Sequence, residues 1–309
     1  MKVMSKIAAN AALIGVLVSI SARAAERRVP VPHPVLFMYG YSDATTVSSS
    51  VWGTLDQYRA LWEKTMGTFT VADGITKDAD LVNRLRSQGK VFAYHVSNTI
   101  DEKHKTAEDF VSAWSEPFEN TLEGKLPGGF DAISIDEFHS YPDGSKESQL
   151  QNESLRQLRK RFPDRLIFVS GVWKLADGGP GALHSDKKVT YDDTLNALQK
   201  YADVFVLENY QRTGNIQFEF FESMPKNLES RSPGLLGKTI FALYISQSAP
   251  FIGDDDPRIN FFDFLEKQIN LVKTGKLTSQ TPGIGYWVFY RSKPETIERI
   301  LDLTQKYFQ

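Results

Sequence analysis

The 309-residue chain contains no cysteine. It therefore forms no disulfide and offers no thiolate to a metal ion, so its core alone must hold the fold together. Its charges are nearly balanced, with 36 basic and 38 acidic side chains. A chain with this balance and no basic run has no general attraction for nucleic acid or an anionic membrane surface. We expect neither as a partner.

Long apolar runs are also rare, and the only marked one lies near the start. Two lysines precede an apolar stretch over residues 7–20, and the small-residue sequence Ala-Arg-Ala follows at 22–24. This layout is typical of a secretory signal peptide, whereas a membrane span needs about 20 apolar residues. We predict a cleaved signal peptide over residues 1–24, one domain over residues 25–309, no membrane span, and a secreted or periplasmic location. Cleavage leaves a formal charge of −5.

Short apolar segments recur eight times along the remaining chain, and helical periodicity follows each of them. They are rich in Val, Ile, Phe and Tyr, as expected for strands buried on both faces of a parallel sheet. Eight strand–helix units in about 285 residues favour the α/β class and a single (β/α)8 TIM barrel. The predicted strands cover residues 35–39, 69–72, 91–95, 132–136, 166–170, 204–208, 239–244 and 285–289.

An open dinucleotide-binding sheet explains the alternation less well. The first strand leads into Tyr39-Gly40-Tyr41-Ser42-Asp43, where such a sheet carries a glycine-rich phosphate loop. Local signals mark some helix boundaries instead. Thr106 and Asp109 suit a capping box, Gly89 suits the end of the second helix, and Pro294 suits the first position of the last helix.

The active site of such a barrel lies at the carboxyl ends of its strands. The fourth predicted strand ends in the adjacent acids Asp136 and Glu137. Two close carboxylates repel each other, so one tends to stay protonated near neutral pH, which suits an acid and its partner. The alternative is a structural role for these two acids, in a helix cap or a loop salt bridge.

The sixth predicted strand ends in Glu208. Because strands four and six are two places apart around a barrel, Glu137 and Glu208 are expected to face each other across its mouth. Hydrolysis of a glycosidic bond needs two carboxyl groups about 5 to 10 Å apart. A structural ion pair between Glu208 and Arg212 or Arg291 explains this acid nearly as well.

The other strand ends carry aromatic, amide and charged side chains. Sugar faces stack on aromatic rings, and polar groups reach sugar hydroxyls, so this set indicates a carbohydrate ligand. We expect no metal ion and no other cofactor, because the five histidines are scattered. The alternative is a metal site with the ligands His95, Asp136, His139 and Glu208. The predicted catalytic residues are Glu137, Asp136 and Glu208. The predicted substrate-binding residues are Tyr39, Tyr41, Asp43, His95, Asn98, His139, Trp173, Asn209, Tyr210, Tyr244, Gln247, Trp287, Tyr290 and Arg291.

In this layout the chain resembles the (β/α)8-barrel glycoside hydrolase superfamily over essentially the whole predicted domain. Asp136-Glu137 is similar to the Asp-Glu pair of the β-N-acetylhexosaminidases, and this resemblance implies that Glu137 is the acid/base and that Asp136 steadies the substrate's acetamido group. The strand also resembles the DxxDxDxE run of the chitinase-like barrels. Asp131 and Asp136 match its first and third acids, while Ser134 and Phe138 replace the other two.

Two functional hypotheses follow from these observations. The first is a secreted glycosidase that cleaves an oligo- or polysaccharide, with Glu137 as acid and Asp136 or Glu208 as its partner. The second is a non-catalytic carbohydrate-binding barrel, which keeps the aromatic residues without a working acid pair.

Overall fold

A computed structural model describes residues 29–39, 55–73, 78–98, 105–119, 126, 128–212, 214–246, 251–287 and 292–309. The predicted signal peptide lies outside these ranges. Within them, eight parallel strands close into a barrel in chain order, and the first strand pairs with the last. The predicted (β/α)8 fold class is confirmed. The strands are β1 Val35–Met38, β2 Val71–Asp73, β3 Val91–Ser97, β4 Ala132–Phe138, β5 Leu166–Val172, β6 Val204–Glu208, β7 Thr239–Tyr244 and β8 Gly283–Trp287.

Helices follow the strands and cover the outside of the barrel. None of those in the described ranges is both long enough and apolar enough to cross a bilayer. Short 3-10 turns at Leu236–Lys238 and Thr278–Gln280 precede β7 and β8. The helices are α1 Leu55–Thr68, α2 Ala79–Ser87, α3 Ala107–Glu119, α4 Lys146–Arg161, α5 Lys174–Asp177, α6 Asp192–Tyr201, α7 Phe220–Arg231, α8 Phe261–Thr274 and α9 Pro294–Phe308.

Strand boundaries agree with the prediction for two strands, while β3, β4 and β5 each end two residues beyond the predicted end. β6 and β7 have the predicted bounds. β8 instead begins at Gly283, two residues before the predicted start at Gly285. Gly283 is required there because a Cβ atom would clash with the backbone of Val35 on β1.

The capping signals that fall on described residues are confirmed. Asp109 Oδ2 accepts a hydrogen bond from the Thr106 N–H at 2.8 Å, and Thr106 Oγ1 accepts one from the Asp109 N–H at 3.3 Å. Pro294 is the first residue of α9. Gly89 follows α2 with φ 77°, a left-handed conformation that glycine adopts without strain.

The buried apolar residues form two cores, one inside the barrel and one between the strands and the helices. Alternate strand residues such as Phe37 and Phe168 point inward, where their rings stack with centroids 5.5 Å apart. Residues between them, such as Ile133 and Leu207, join the larger core against the helices. The barrel interior is therefore packed, and its polar groups collect at the carboxyl ends of the strands.

Acids at the opposite end of the barrel have structural partners. The Asp131 carboxylate accepts hydrogen bonds from Arg86 Nε at 3.1 Å and from the Phe92 N–H at 3.0 Å. The Asp203 carboxylate accepts hydrogen bonds from the Arg159 guanidinium and from the Ile167 N–H. Asp131, which matches the first acid of the chitinase-like pattern, therefore ties α2 to the start of β3.

Candidate active site

A β-bulge interrupts β4 at the two adjacent acids. Ile135 pairs with Val169 of β5, but the next pair is Phe138 with Gly171, so β4 contains one extra residue. Glu137 has φ 52°, a left-handed conformation that is uncommon outside glycine. Phe138 thereby takes the position against the helices and is fully buried, whereas Glu137 is exposed to solvent.

A network of buried amides supports this bulge. The Asn98 N–H donates to the Asp136 carbonyl at 3.2 Å, and Asn98 Nδ2 donates to the Glu137 carbonyl at 3.3 Å and to Gln151 Oε1 at 2.7 Å. Asn98 and Gln151 have no exposed surface. Asn98 was predicted to contact substrate, but the structure places it beneath the bulge, where it supports the backbone that carries the acids.

Asp136 continues the inward-pointing row of β4. Burial is the main reason that its pKa rises to about 7, and the charge of Glu137 adds to this effect. A hydrogen bond from the Glu137 N–H lowers the pKa of Asp136 and opposes these two effects. Among the described residues, one oxygen of Asp136 is buried without a hydrogen-bond partner, and the other lies 3.5 Å from His95 Nε2.

Glu208 ends β6 and is only 8% exposed. Burial is again the main cause of its raised pKa of about 8, followed by the charges of Asp136 and Glu137. The three carboxyl groups are therefore close enough to affect one another, as the positions of strands four and six led us to expect. Within the described ranges Glu208 has no ion pair; Arg212 instead lies over the Phe251 ring, 5.4 Å from its centroid.

Tyr210 lies beside these acids at the end of β6. Its hydroxyl is buried and has no hydrogen-bond partner among the described residues. Burial raises the pKa of this phenol well above its ordinary value, and the charge of Glu208 contributes next. The Tyr210 ring contacts Tyr244 and Phe251, with centroids 5.8 and 5.2 Å away.

Trp287 and Tyr39 form an aromatic stack next to Tyr210. Their ring centroids are 3.7 Å apart with an interplanar angle of 27°, and Tyr210 lies 5.9 Å from Trp287. The Tyr39 hydroxyl hydrogen-bonds the His95 ring. Phe251 completes the aromatic set and was missed in the sequence because it lies seven residues beyond the end of β7.

The remaining predicted site residues contact other side chains or lie outside the described ranges. Trp173 stacks on Phe220 with centroids 5.3 Å apart, and His139 contacts the Tyr141 ring at 5.4 Å. Asn209 is 1% exposed, and its side-chain oxygen accepts from Gln211 Nε2 at 2.6 Å. The predicted residues outside the described ranges are Tyr41, Asp43, Gln247, Tyr290 and Arg291.

The donor set of the mouth consists of carboxyl groups, phenols and one imidazole. Burial lowers the pKa of His95 to about 4, so this imidazole is neutral near pH 7. Across the described part of the chain, no three His, Asp or Glu side chains are grouped closely enough to hold a metal ion. The chemistry that these groups can perform is proton transfer and electrostatic stabilisation.

No protein-family model and no curated protein matches the sequence. Solved structures match the fold. The spore cortex-lytic enzyme SleL of Bacillus megaterium is 12% identical with a TM-score of 0.56, over 89% of this chain and 73% of SleL. A GH18 chitinase from Pseudoalteromonas aurantia is 14% identical with a TM-score of 0.55, over 87% of this chain and 98% of the chitinase. The chain has the barrel fold of these glycoside hydrolases.

A third similar structure contains a carbohydrate ligand. Active domain 2 of a Pyrococcus furiosus chitinase, in catalytic-site mutants complexed with chito-oligosaccharides, is 9% identical with a TM-score of 0.54. The match covers 92% of this chain and 98% of that domain. The likeness at these identities concerns the course of the backbone, so the site of the present chain must be interpreted from its own residues.

Proposed function

We propose that this protein is a secreted glycosidase that cleaves O-glycosidic bonds of an oligo- or polysaccharide at the mouth of the barrel. The observation that carries this proposal is the convergence of Asp136, Glu137 and Glu208, where burial, followed by the neighbouring charges, raises the pKa values of Asp136 and Glu208. The aromatic stack of Trp287 on Tyr39 lies at the same mouth. Export to the periplasm or the medium rests on residues 1–24 alone.

Glu137 is the proposed proton donor to the leaving-group oxygen. It is the exposed member of the three acids, so it is the one that a glycosidic oxygen reaches first. Asp136 beside it keeps a proton up to about pH 7. A neighbouring carboxyl group that still holds a proton near neutral pH suits a site that gives a proton in one step and takes one back in the next.

Glu208 is the proposed second carboxyl group, with Asp136 as the alternative. Its raised pKa leaves it protonated in the resting site, and it must lose this proton to act as a base or nucleophile. The transition state of glycoside hydrolysis carries positive charge on the sugar ring. That charge favours the ionised form of a nearby carboxyl group, so Glu208 would stabilise the transition state more than the ground state.

Turnover and binding should be measured together on one panel of oligosaccharides. The wild-type mature chain is expected to release new reducing ends from at least one of them. Glu137→Gln should reduce kcat by about 10²- to 10⁴-fold, the usual contribution of a general acid, while the Kd for the same sugar changes little. Glu222→Gln, an exposed acid on α7, serves as the matched control and should behave as wild type.

The alternative hypothesis gives a different pattern in this experiment. A wild-type chain that binds an oligosaccharide but hydrolyses none would identify a non-catalytic carbohydrate-binding barrel. A chain that neither binds nor hydrolyses any glycan would refute the proposal.

A further inference from the structure

Three side chains from separate strands form a continuous row of hydrogen-bonding groups. The Tyr39 hydroxyl, just after β1, contacts both ring nitrogens of His95 on β3, at 3.0 Å for Nε2 and closer for Nδ1. His95 Nε2 lies 3.5 Å from Asp136 Oδ2 on β4. Tyr39 is only 4% exposed, and Trp287 covers one face of its ring. The barrel strands therefore set the relative positions of these groups.

Two hydrogen-bond arrangements fit this geometry. A neutral imidazole has one N–H donor and one acceptor nitrogen. When Asp136 is ionised, His95 Nε2–H donates to the carboxylate, and the Tyr39 hydroxyl donates to Nδ1. When Asp136 is protonated, its O–H donates to Nε2, and Nδ1–H donates to the Tyr39 oxygen. The Tyr39 hydrogen is then able to turn toward the mouth.

We propose that His95 and Tyr39 are positioning residues that form a reversible relay, in which protonation of Asp136 changes the tautomer of His95 and reverses the Tyr39 hydrogen bond. The catalytic importance of the relay rests on the proposed function. A sugar oxygen beside Trp287 that accepts from Tyr39 favours the second arrangement, in which Asp136 holds its proton. Substrate binding would thereby favour the protonated form of Asp136, next to the proposed donor Glu137, before bond cleavage.

Several titratable groups face Asp136 and set the pH at which the relay changes. Glu137 adjoins it on β4, Glu208 and Tyr210 approach from β6, and His95 approaches from β3. The negative charge of Glu137 favours the protonated form of Asp136. Removing the charge of Glu137 should therefore move the change to lower pH.

The test follows the tautomer of His95 by two-bond ¹H–¹⁵N NMR correlation in the ¹⁵N-histidine-labelled chain between pH 5 and 9. His95→Gln identifies the signal. We expect an Nδ1–H tautomer at low pH and an Nε2–H tautomer at high pH. Asp136→Asn should abolish the change, and Glu137→Gln should lower its midpoint, whereas the control Glu222→Gln should leave it unaltered.

Tyr39→Phe should move the midpoint, because the relay then loses the phenol that bonds Nδ1. A single tautomer throughout this pH range, or the same change in Asp136→Asn, would overturn the relay. An unaltered midpoint in both Glu137→Gln and Tyr39→Phe would overturn it as well. The measurement needs no substrate, so its outcome is independent of the proposed function. A chain without glycosidase activity could show the relay, and an active glycosidase could lack it.

Discussion

Gln151 of α4 hydrogen-bonds both backbone groups of His139, accepting from its N–H at 3.0 Å and donating to its carbonyl at 3.1 Å. The same side-chain oxygen accepts from Asn98 Nδ2 at 2.7 Å. These bonds join α4, the end of β3 and the segment after β4 around the bulge at Glu137. A strained left-handed residue persists only where its surroundings hold it, and this network does so.

Gln151→Ala is expected to lower the free energy of unfolding by about 1–3 kcal/mol, because it leaves buried polar groups of Asn98 and His139 without their partner. Urea denaturation measures the loss. Gln149→Ala is the matched control, since Gln149 is exposed on the same helix, and it should change stability by less than about 0.5 kcal/mol. Equal losses in the two variants would show that the network does not support the bulge.

Stability should fall as the pH rises through neutrality. Asp136 and Glu208 have folded-state pKa values of about 7 and about 8, above the ordinary values of 3.8 and 4.5. Their contribution is therefore fully present below about pH 4 and is lost as the pH rises to about 8. The expected loss is on the order of a few kcal/mol.

The comparison of wild type with Glu208→Gln tests this pH dependence. Urea unfolding at pH 5 and pH 8.5 should show a smaller difference in the variant, because glutamine needs no proton to stay neutral. The variant should then be the more stable protein at pH 8.5. Equal pH differences in the two proteins would mean that Glu208 ionises as readily in the folded chain as in the unfolded one.

Trp287→Ala is expected to weaken oligosaccharide binding by up to about tenfold, since an aromatic contact contributes about 0.5–1.5 kcal/mol beyond its buried area. Isothermal titration calorimetry measures Kd directly, and kcat should change less than KM. Trp287→Phe keeps an aromatic face next to Tyr39 and should retain most of the affinity. Unchanged binding in Trp287→Ala would place the sugar elsewhere.

The sequence allowed the barrel to be predicted because its apolar runs alternate regularly with helical periodicity. The bounds of β6 were right, whereas the end of β4 was set too early, because the strand continues through the bulge to Phe138. The convergence of Asp136, Glu137 and Glu208 followed from their positions at strand ends, because parallel strands bring those ends to one face.

Other features of the site depend on contacts that one strand does not encode. The bulge at Glu137 results from the pairing register between β4 and β5, which the β4 sequence alone does not specify. A polar residue at a strand end has the same sequence signal whether it points inward or toward the helices, so Asn98 was assigned to the substrate. Phe251 lies beyond the end of β7, and no local sequence pattern indicates its contact with Tyr210.

A crystal structure of Glu137→Gln with a bound oligosaccharide, chosen from those that wild type hydrolyses, tests the central claim most directly. The glycosidic oxygen should lie about 2.6–3.2 Å from the side chain of residue 137, with a sugar ring against Trp287 and Glu208 on the far side of the bond. An oligosaccharide bound away from these residues, with the residue 137 side chain pointing into solvent, would contradict the assignment of Glu137 as the acid.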